Sequence, residues 1–263
     1  MSSGWIVMQD NRSVMEKMFD NPPPRMGVPD AKDIARVSLS RIPCSHEDLE
    51  SHLQKYVDLI KAQGANEARI ISARDIPQDP RVALKCYTPK CPAYGTCGGC
   101  PPHYKVTFQE AKEFLGAYMW AIVYRVDIPK EGLKYLTGPG SLDYYRTKEG
   151  KHRLGSFQRY CFQMGHHVER AAFYDGHYFA INLDFGPCLT ALCEEFDVCQ
   201  AIKTGVCRFP TVAKLSPDVS FSIDYLKLSV SLGWSHYMMG FCPTPDDYPK
   251  DHVNHITGLI LIE

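Results

Sequence analysis

Four cysteines fall within fifteen positions of the segment KCYTPKCPAYGTCGGCPPHY: Cys86, Cys91, Cys97 and Cys100. A second burst, CLTALCEEFDVCQAIKTGVC, supplies Cys188, Cys193, Cys199 and Cys207. The gaps are four, five and two residues in the first group and four, five and seven in the second. The shared four-then-five spacing is a weak internal repeat. Two groups of four thiols match the ligand demand of two four-coordinate sites. Any fold this chain adopts must accommodate both groups in loops, because the surrounding prolines and glycines break regular structure.

What these thiols do depends on where the chain works. The N-terminal segment MSSGWIVMQDNRSVMEKMFD lacks the long apolar centre of a signal peptide and carries acids early, so the expected location is cytoplasmic. In a reducing cytoplasm disulfides are rare and clustered cysteines bind metal. The total of eleven cysteines is odd, so complete internal pairing is impossible. The alternatives are buried small hydrophobes, or a redox dithiol at Cys97 and Cys100.

Thiolates suit zinc or the irons of a cluster. Zinc held by four cysteines prefers two tight C-x2-C knuckles, and only Cys97-Gly-Gly-Cys100 supplies one. Wider, uneven gaps fit an iron–sulfur cube, whose ligand atoms lie farther apart. Pro92 after Cys91 and Pro101 after Cys100 repeat the cysteine–proline pairs of bacterial ferredoxins. Gly95, Gly98 and Gly99 allow the sharp turns and close approach that a cluster needs. The reading is therefore two [4Fe-4S] clusters held by Cys86, Cys91, Cys97, Cys100, Cys188, Cys193, Cys199 and Cys207, with zinc as the alternative metal. The division of ligands between clusters stays open. Cys161 is expected in the core of a helix, and Cys44 and Cys242 beside prolines in loops.

The totals exclude several partners. With 44% apolar residues, 22% charged residues and a formal net charge of -1, there is no basic excess for nucleic acid or an anionic membrane. No run of about 18 apolar residues exists, so no membrane span is expected.

Residues 1–44 read as an N-terminal extension, with four prolines in DNPPPRMGVPD, placed to wrap the body or to join a neighbouring subunit. Residues 45–263 read as a single α/β (or α+β) metal-binding domain: a layered sheet with helices and cysteine-rich loops at 86–102 and 188–210. SHEDLESHLQKYVDLIKAQGA has helical spacing after a Ser cap. EARIISARDI reads as a strand, TFQEAKEFLGA as a Thr-capped helix and YMWAIVYRVDI as a strong strand. GPGSLDYYRTKEGK reads as a loop, HRLGSFQRYCFQMGHHVERAAFYDG as a long helix and HYFAINLDF as a strand. SPDVSFSIDYLKLSVSLGW predicts one helix and HITGLILIE a final strand. Both cysteine groups are expected to follow directly after strands.

At KCYTPKCPAYGTCGGCPP, GPCLTALCEEFDVCQAIKTGVCRFP and LSPDVSFSIDYLKL the chain resembles the metal-binding family called domain of unknown function 2284. The order of these pieces also matches, and the resemblance spans about residues 46–240. It implies metal binding and supplies no reaction. Two departures stand out: the family's first motif carries three cysteines, so Cys97 is additional, and its second motif is more tightly spaced.

Other candidates for chemistry are few. Vicinal His166 and His167 cannot face the same way on a helix, so they are not a shared ligand pair and read as core and surface positions. His103, Tyr94 and Tyr104 are placed near the first group, the tyrosines as shields against water. Arg208 and Lys214 are placed to offset cluster charge or to bind an anionic substrate, or else are surface charges. No P-loop, G-x-G-x-x-G after a strand, or G-x-S-x-G occurs. The functional expectation is an iron–sulfur protein passing electrons to a redox partner protein or to a bound substrate. The alternatives are a reductase with catalysis at an open cluster iron and a zinc-stabilised interaction or assembly module.

Overall fold

The computed structural model describes residues 46–88, 90–104, 106–128, 141–183, 186–213, 217–235 and 253–263. The proposed extension 1–44, Cys44, Cys242 and Lys214 lie outside the described residues.

Helix α1 (His46–Ala62) buries Leu53, Tyr56, Val57 and Ile60 along one stripe. Gly64 follows with φ +115°, and a Cβ there would fall 2.2 Å from the Tyr160 hydroxyl. That hydroxyl donates to the Gln63 carbonyl, so glycine permits both the turn and the approach. Strand β1 (Glu67–Ser72) runs antiparallel to β2 (Trp120–Ile128), with Glu67 opposite Arg125 and Ser72 opposite Trp120.

Between them lie two short 3-10 turns and helix α2 (Leu84–Tyr87), which carries Cys86. The first cysteine group therefore does not follow directly after a strand, as the sequence reading had it. Beyond the loop, helix α3 (Phe108–Gly116) starts at Thr107, whose side chain and that of Glu110 form a reciprocal capping box.

The segment read as a loop around residue 145 is helical: α4 spans Ser141–Arg146, and α5 spans Lys148–Tyr174. Gly and Pro before Ser141 signalled a loop. The Thr147 side chain, which accepts from the Gly150 N–H at 3.0 Å, marks the true start of α5. At 27 residues, α5 is about 40 Å long.

The edge strand β3 (Ile181–Leu183) is shorter than the sequence suggests. Helix α6 (Cys188–Leu192) follows, and α7 spans Gln200–Thr204. The single helix read over 216–234 is broken into α8 (Pro217–Ser220) and α9 (Tyr225–Ser231). The break has a distant cause. Ser222, at φ +56°, gives its carbonyl to the Asp79 N–H at 2.8 Å, and the Asp224 N–H donates to the Pro77 carbonyl at 2.8 Å. Backbone groups that would have continued the helix instead pair with residues 77–79.

Strand β4 (Asn254–Ile262) closes the sheet in the order β1-β2-β4-β3, every pairing antiparallel. Side chains on one face of β2 and β4, among them Ile122, Tyr124, Val126 and Ile260, pack with α1 and α5. The opposite face, with Ala121, Val123, Leu259 and Leu261, packs with Leu115 of α3, Leu228 of α9 and Trp234. Both central strands are thus covered on both sides, which is why they read as near-continuous apolar runs. The result is a mixed fold of an antiparallel sheet between helical layers, consistent with the expected α/β or α+β class.

Candidate metal centre

The first half of α5 leaves the sheet and supports the cysteine loops. Arg159, buried on that helix, donates from Nε to the Ala191 carbonyl at 2.8 Å and pairs through Nη2 with Glu194 Oε2 at 3.0 Å. Both partners lie on or just after α6, so one guanidinium fixes the helix that begins with Cys188. Gly155, one turn earlier, lets α6 approach: a Cβ there would come 2.6 Å from the Thr190 carbonyl oxygen. Neither Arg159 nor Glu194 was singled out from the sequence. Buried cationic positions on a helix look like surface ones until the partner is known.

The loops are then tied together. Cys199 N–H donates to the Thr96 carbonyl at 2.7 Å, joining the second group to the first. Within the first loop, Cys91 N–H donates to Cys86 O at 3.1 Å, Cys100 N–H to Cys97 O at 3.0 Å and Gly95 N–H to Pro101 O at 2.8 Å. A Cβ on Gly98 would sit 3.5 Å from the Cys199 sulfur, so the two loops are in van der Waals contact at a thiol. Cys97, Cys100, Leu189 and Cys193 form a small buried cluster, with Cys188, Cys199, Phe196 and Phe209 packed against it.

Cys97 lies in this cluster beside Cys100 and Cys188, and hydrogen bonding within it, from Cys100 first and then Cys188, pulls the Cys97 thiol below its ordinary range despite burial. The same contacts push Cys100 and Cys188 up, with burial adding to it.

The array extends to both sides. Burial raises Cys86 to about 11, with the charges of Asp218 and Cys91 adding to it. Burial also raises Cys193 to about 11; Glu195 and Cys199 reinforce this and Arg208 opposes it. Cys199 and Cys193 act on Cys188, and Cys207 on Cys193, so the second group is one electrostatic neighbourhood. All eight thiols are thereby linked, from Cys91 through Cys86, Cys100 and Cys97 to Cys188, Cys199, Cys193 and Cys207. None of the eight is in a disulfide. Cys97 of the first group is buried together with Cys193 of the second, so the two groups meet there.

The donor chemistry fits a soft metal: eight sulfurs and no competing disulfide. Among the described residues, however, no three Cys, His, Asp or Glu side chains converge so as to hold a single ion.

The other candidates resolve as follows. Cys161 lies in the core between α5 and the sheet, as expected. His166 pairs with Glu169 at 3.1 Å and packs on Phe162, while exposed His167 meets Gln63 at 3.0 Å; neither of these partners belongs to the array. His103 is exposed, and its Nε2 bonds the Gly95 carbonyl of its own loop at 3.1 Å. Tyr94 packs edge-on against Tyr87, with Lys90 over its ring at 4.6 Å. Tyr104 lies close enough to Cys86 that burial first, and then the thiol's charge, raises its hydroxyl. Arg208 pairs with Glu195 and stacks over Phe196 and Phe209. Asp218, on α8, reaches the first group from a segment that sequence reading had placed in an unrelated helix.

A sheet-based body carrying two cysteine loops fused into one thiol array is the class these features define. The chain belongs to the family described as Predicted metal-binding protein (DUF2284), whose model matches residues 69–262 and so includes both groups. No curated protein and no solved structure matches the chain. Among the described residues, no helix is long and apolar enough to cross a membrane.

Proposed function

We propose that the chain is an iron–sulfur protein that exchanges electrons with a partner protein or with a substrate bound at its surface. The observation that carries this reading is the meeting of the two cysteine loops: Cys97, Cys100 and Cys193 share one buried cluster with Cys188 and Cys199 packed against it, and none of the eight cysteines is in a disulfide. Eight free thiols brought together from two loops match the ligand demand of two four-coordinate clusters, twice that of one zinc ion. Cys86, Cys91, Cys97, Cys100, Cys188, Cys193, Cys199 and Cys207 would together hold two [4Fe-4S] clusters, with Cys97 at the junction of the two groups. When bound, such clusters take up and release single electrons.

The chain's own residues support that role. Cys97 and Cys100 are buried, and the rings of Phe196 and Phe209 cover the second group, which limits water. Arg208 keeps a positive charge by Cys193, where thiolate charge must be tolerated. The second reading, zinc in a non-catalytic assembly module, is favoured by one feature, the Cys97–Cys100 knuckle closed by its 3.0 Å backbone bond.

Metal and acid-labile sulfide analysis of anaerobically purified protein, with its visible spectrum, separates them. About eight irons and eight sulfides per chain are expected for two cubes. Zinc without sulfide would sink the electron-transfer reading. Cys100→Ala and Cys193→Ala should each lose metal and lower the unfolding temperature, because metal binding is coupled to folding. Full metal content in both variants would overturn the ligand assignment.

A further inference from the structure

An open cleft of about 260 Å³ lies against the thiol array. At about 30 Å³ per water, it has room for a molecule the size of roughly nine waters. Its wall is built from the chain neighbours of the cysteines: Pro92 follows Cys91, Thr96 precedes Cys97, Pro187 and Leu189 flank Cys188, and Glu194 follows Cys193. A molecule in this cleft is therefore one residue away from four of the eight thiols, two of them on each loop.

The charges around the cleft are divided. Arg146, at the end of α4, and Lys151, in the first turn of α5, bring two cations to the wall, and Glu194 and Asp197 bring two carboxylates. The present partners of the two cations are weakly held. Arg146 meets Asp143 at 3.5 Å with both side chains more than 60% exposed, and Lys151 meets Asp197, itself 87% exposed, at 2.6 Å. Exposed pairs of this kind contribute little and are readily exchanged. Glu194, by contrast, is committed to the fold, with Oε2 at 3.0 Å from Arg159 and Oε1 at 3.4 Å from His152. Ala93, Leu189 and Phe196, with Pro92 and Pro187, give the wall an apolar portion, beside the hydroxyls of Thr96 and Thr190.

We propose that this cleft binds a small organic anion, with a carboxylate or phosphate head at Arg146 and Lys151 and a short apolar body against Leu189 and Phe196. The head would displace Asp143 and Asp197 from the two cations. The inference rests on the iron–sulfur reading for what the array does with the ligand, and on the cleft alone for the binding itself.

The test is calorimetric titration of the full chain, purified anaerobically, with benzoate, phenyl phosphate, inorganic phosphate and benzylamine. At least one of the two aromatic anions should bind with a Kd of about 1 mM or tighter, in the range open to a ligand of this size. The tighter of the two identifies the head group. Inorganic phosphate should bind at least about tenfold more weakly because it leaves the apolar wall uncovered, and the cation benzylamine should not bind. Arg146→Gln with Lys151→Gln should weaken the anion at least about tenfold. Ala93→Phe, which fills the cleft and keeps both cations, should abolish binding, so the outcome does not hang on one variant. Failure of both aromatic anions to bind, equal binding of benzylamine, or unchanged affinity in a folded variant would overturn the proposal. Iron and sulfide are measured on the same samples. Anion binding without iron leaves the cleft standing and removes the redox reading; iron without anion binding removes the cleft alone.

Discussion

Replacing Arg159 with methionine keeps most of the side chain's length and apolar stem while deleting its charge and hydrogen bonds. Two interactions are lost. The Nε bond to the Ala191 carbonyl, 2.8 Å long and buried, involves a charged donor, and such bonds contribute about 1.5–3 kcal/mol. The ion pair with Glu194 has side chains only 10% and 20% exposed. Breaking a fully buried pair costs about 3–5 kcal/mol. Glu194 keeps His152 at 3.4 Å and some solvent, which brings that loss to about 1–2 kcal/mol. The total is about 2.5–5 kcal/mol, a large share of the ~5–15 kcal/mol that holds a typical domain together. Arg153→Met on the same helix is the control. Its i,i+4 pair with Glu149, at 3.0 Å, is 29% and 64% exposed and should cost under about 0.5 kcal/mol. Anaerobic urea unfolding followed by circular dichroism reads both, provided the slope with urea is unchanged. A double-mutant cycle with Glu194→Gln should return a coupling of about 1–2 kcal/mol. A loss below about 1 kcal/mol for Arg159→Met, or one no larger than that of Arg153→Met, would refute the view that this guanidinium clamps α6 to α5.

Asn182 is fully buried, and among the described residues neither its side-chain oxygen nor its nitrogen has a hydrogen-bond partner; a Cβ on Gly165 would lie 2.1 Å from its amide. Gly165→Ala alone should therefore cost about 1–3 kcal/mol by overpacking, and that cost should vanish in an Asn182→Ala background, as thermal melts of the four proteins would register. His177 is buried, with its Nε2 3.2 Å from His52 Nδ1 and with Asp175 and Glu263 also acting on it. Burial holds its imidazole below the ordinary 6.5, so the stability it contributes is complete above pH 6.5 and is lost as pH falls through the lower folded value. Melting temperature should decline from pH 7 to pH 5, and His177→Gln should flatten that decline; parallel curves would remove His177 as the cause. Burial also opposes ionisation of Asp175, but hydrogen bonds from Lys55 and Tyr56 keep it below 3.8, so its contribution is lost only in stronger acid and leaves the His177 window separate.

Local signals identified most of the elements because they depend on near neighbours. The stripe of Leu53, Tyr56, Val57 and Ile60, the Thr107 cap and the apolar run ending at Ile262 were all legible, as were the two cysteine bursts and the buried place of Cys161. The sequence thereby determined which side chains are available as ligands, and the family match over residues 69–262 agrees with the motifs that carry them. The tertiary structure decided how they meet. Apolar runs such as those of β2 and β4 arise in any strand covered on both faces, so periodicity could not tell that the sheet is antiparallel. Helical spacing over 216–234 could not anticipate that Pro77 and Asp79 would take the backbone bonds at Ser222 and Asp224. Nor could spacing anticipate that Cys97 of the first group would be buried in one cluster with Leu189 and Cys193 of the second. That junction exists because α5 carries Arg159 and Gly155 to the point where α6 docks, and contacts between residues so far apart along the chain are set by the path of the backbone, not by the pattern of any one segment.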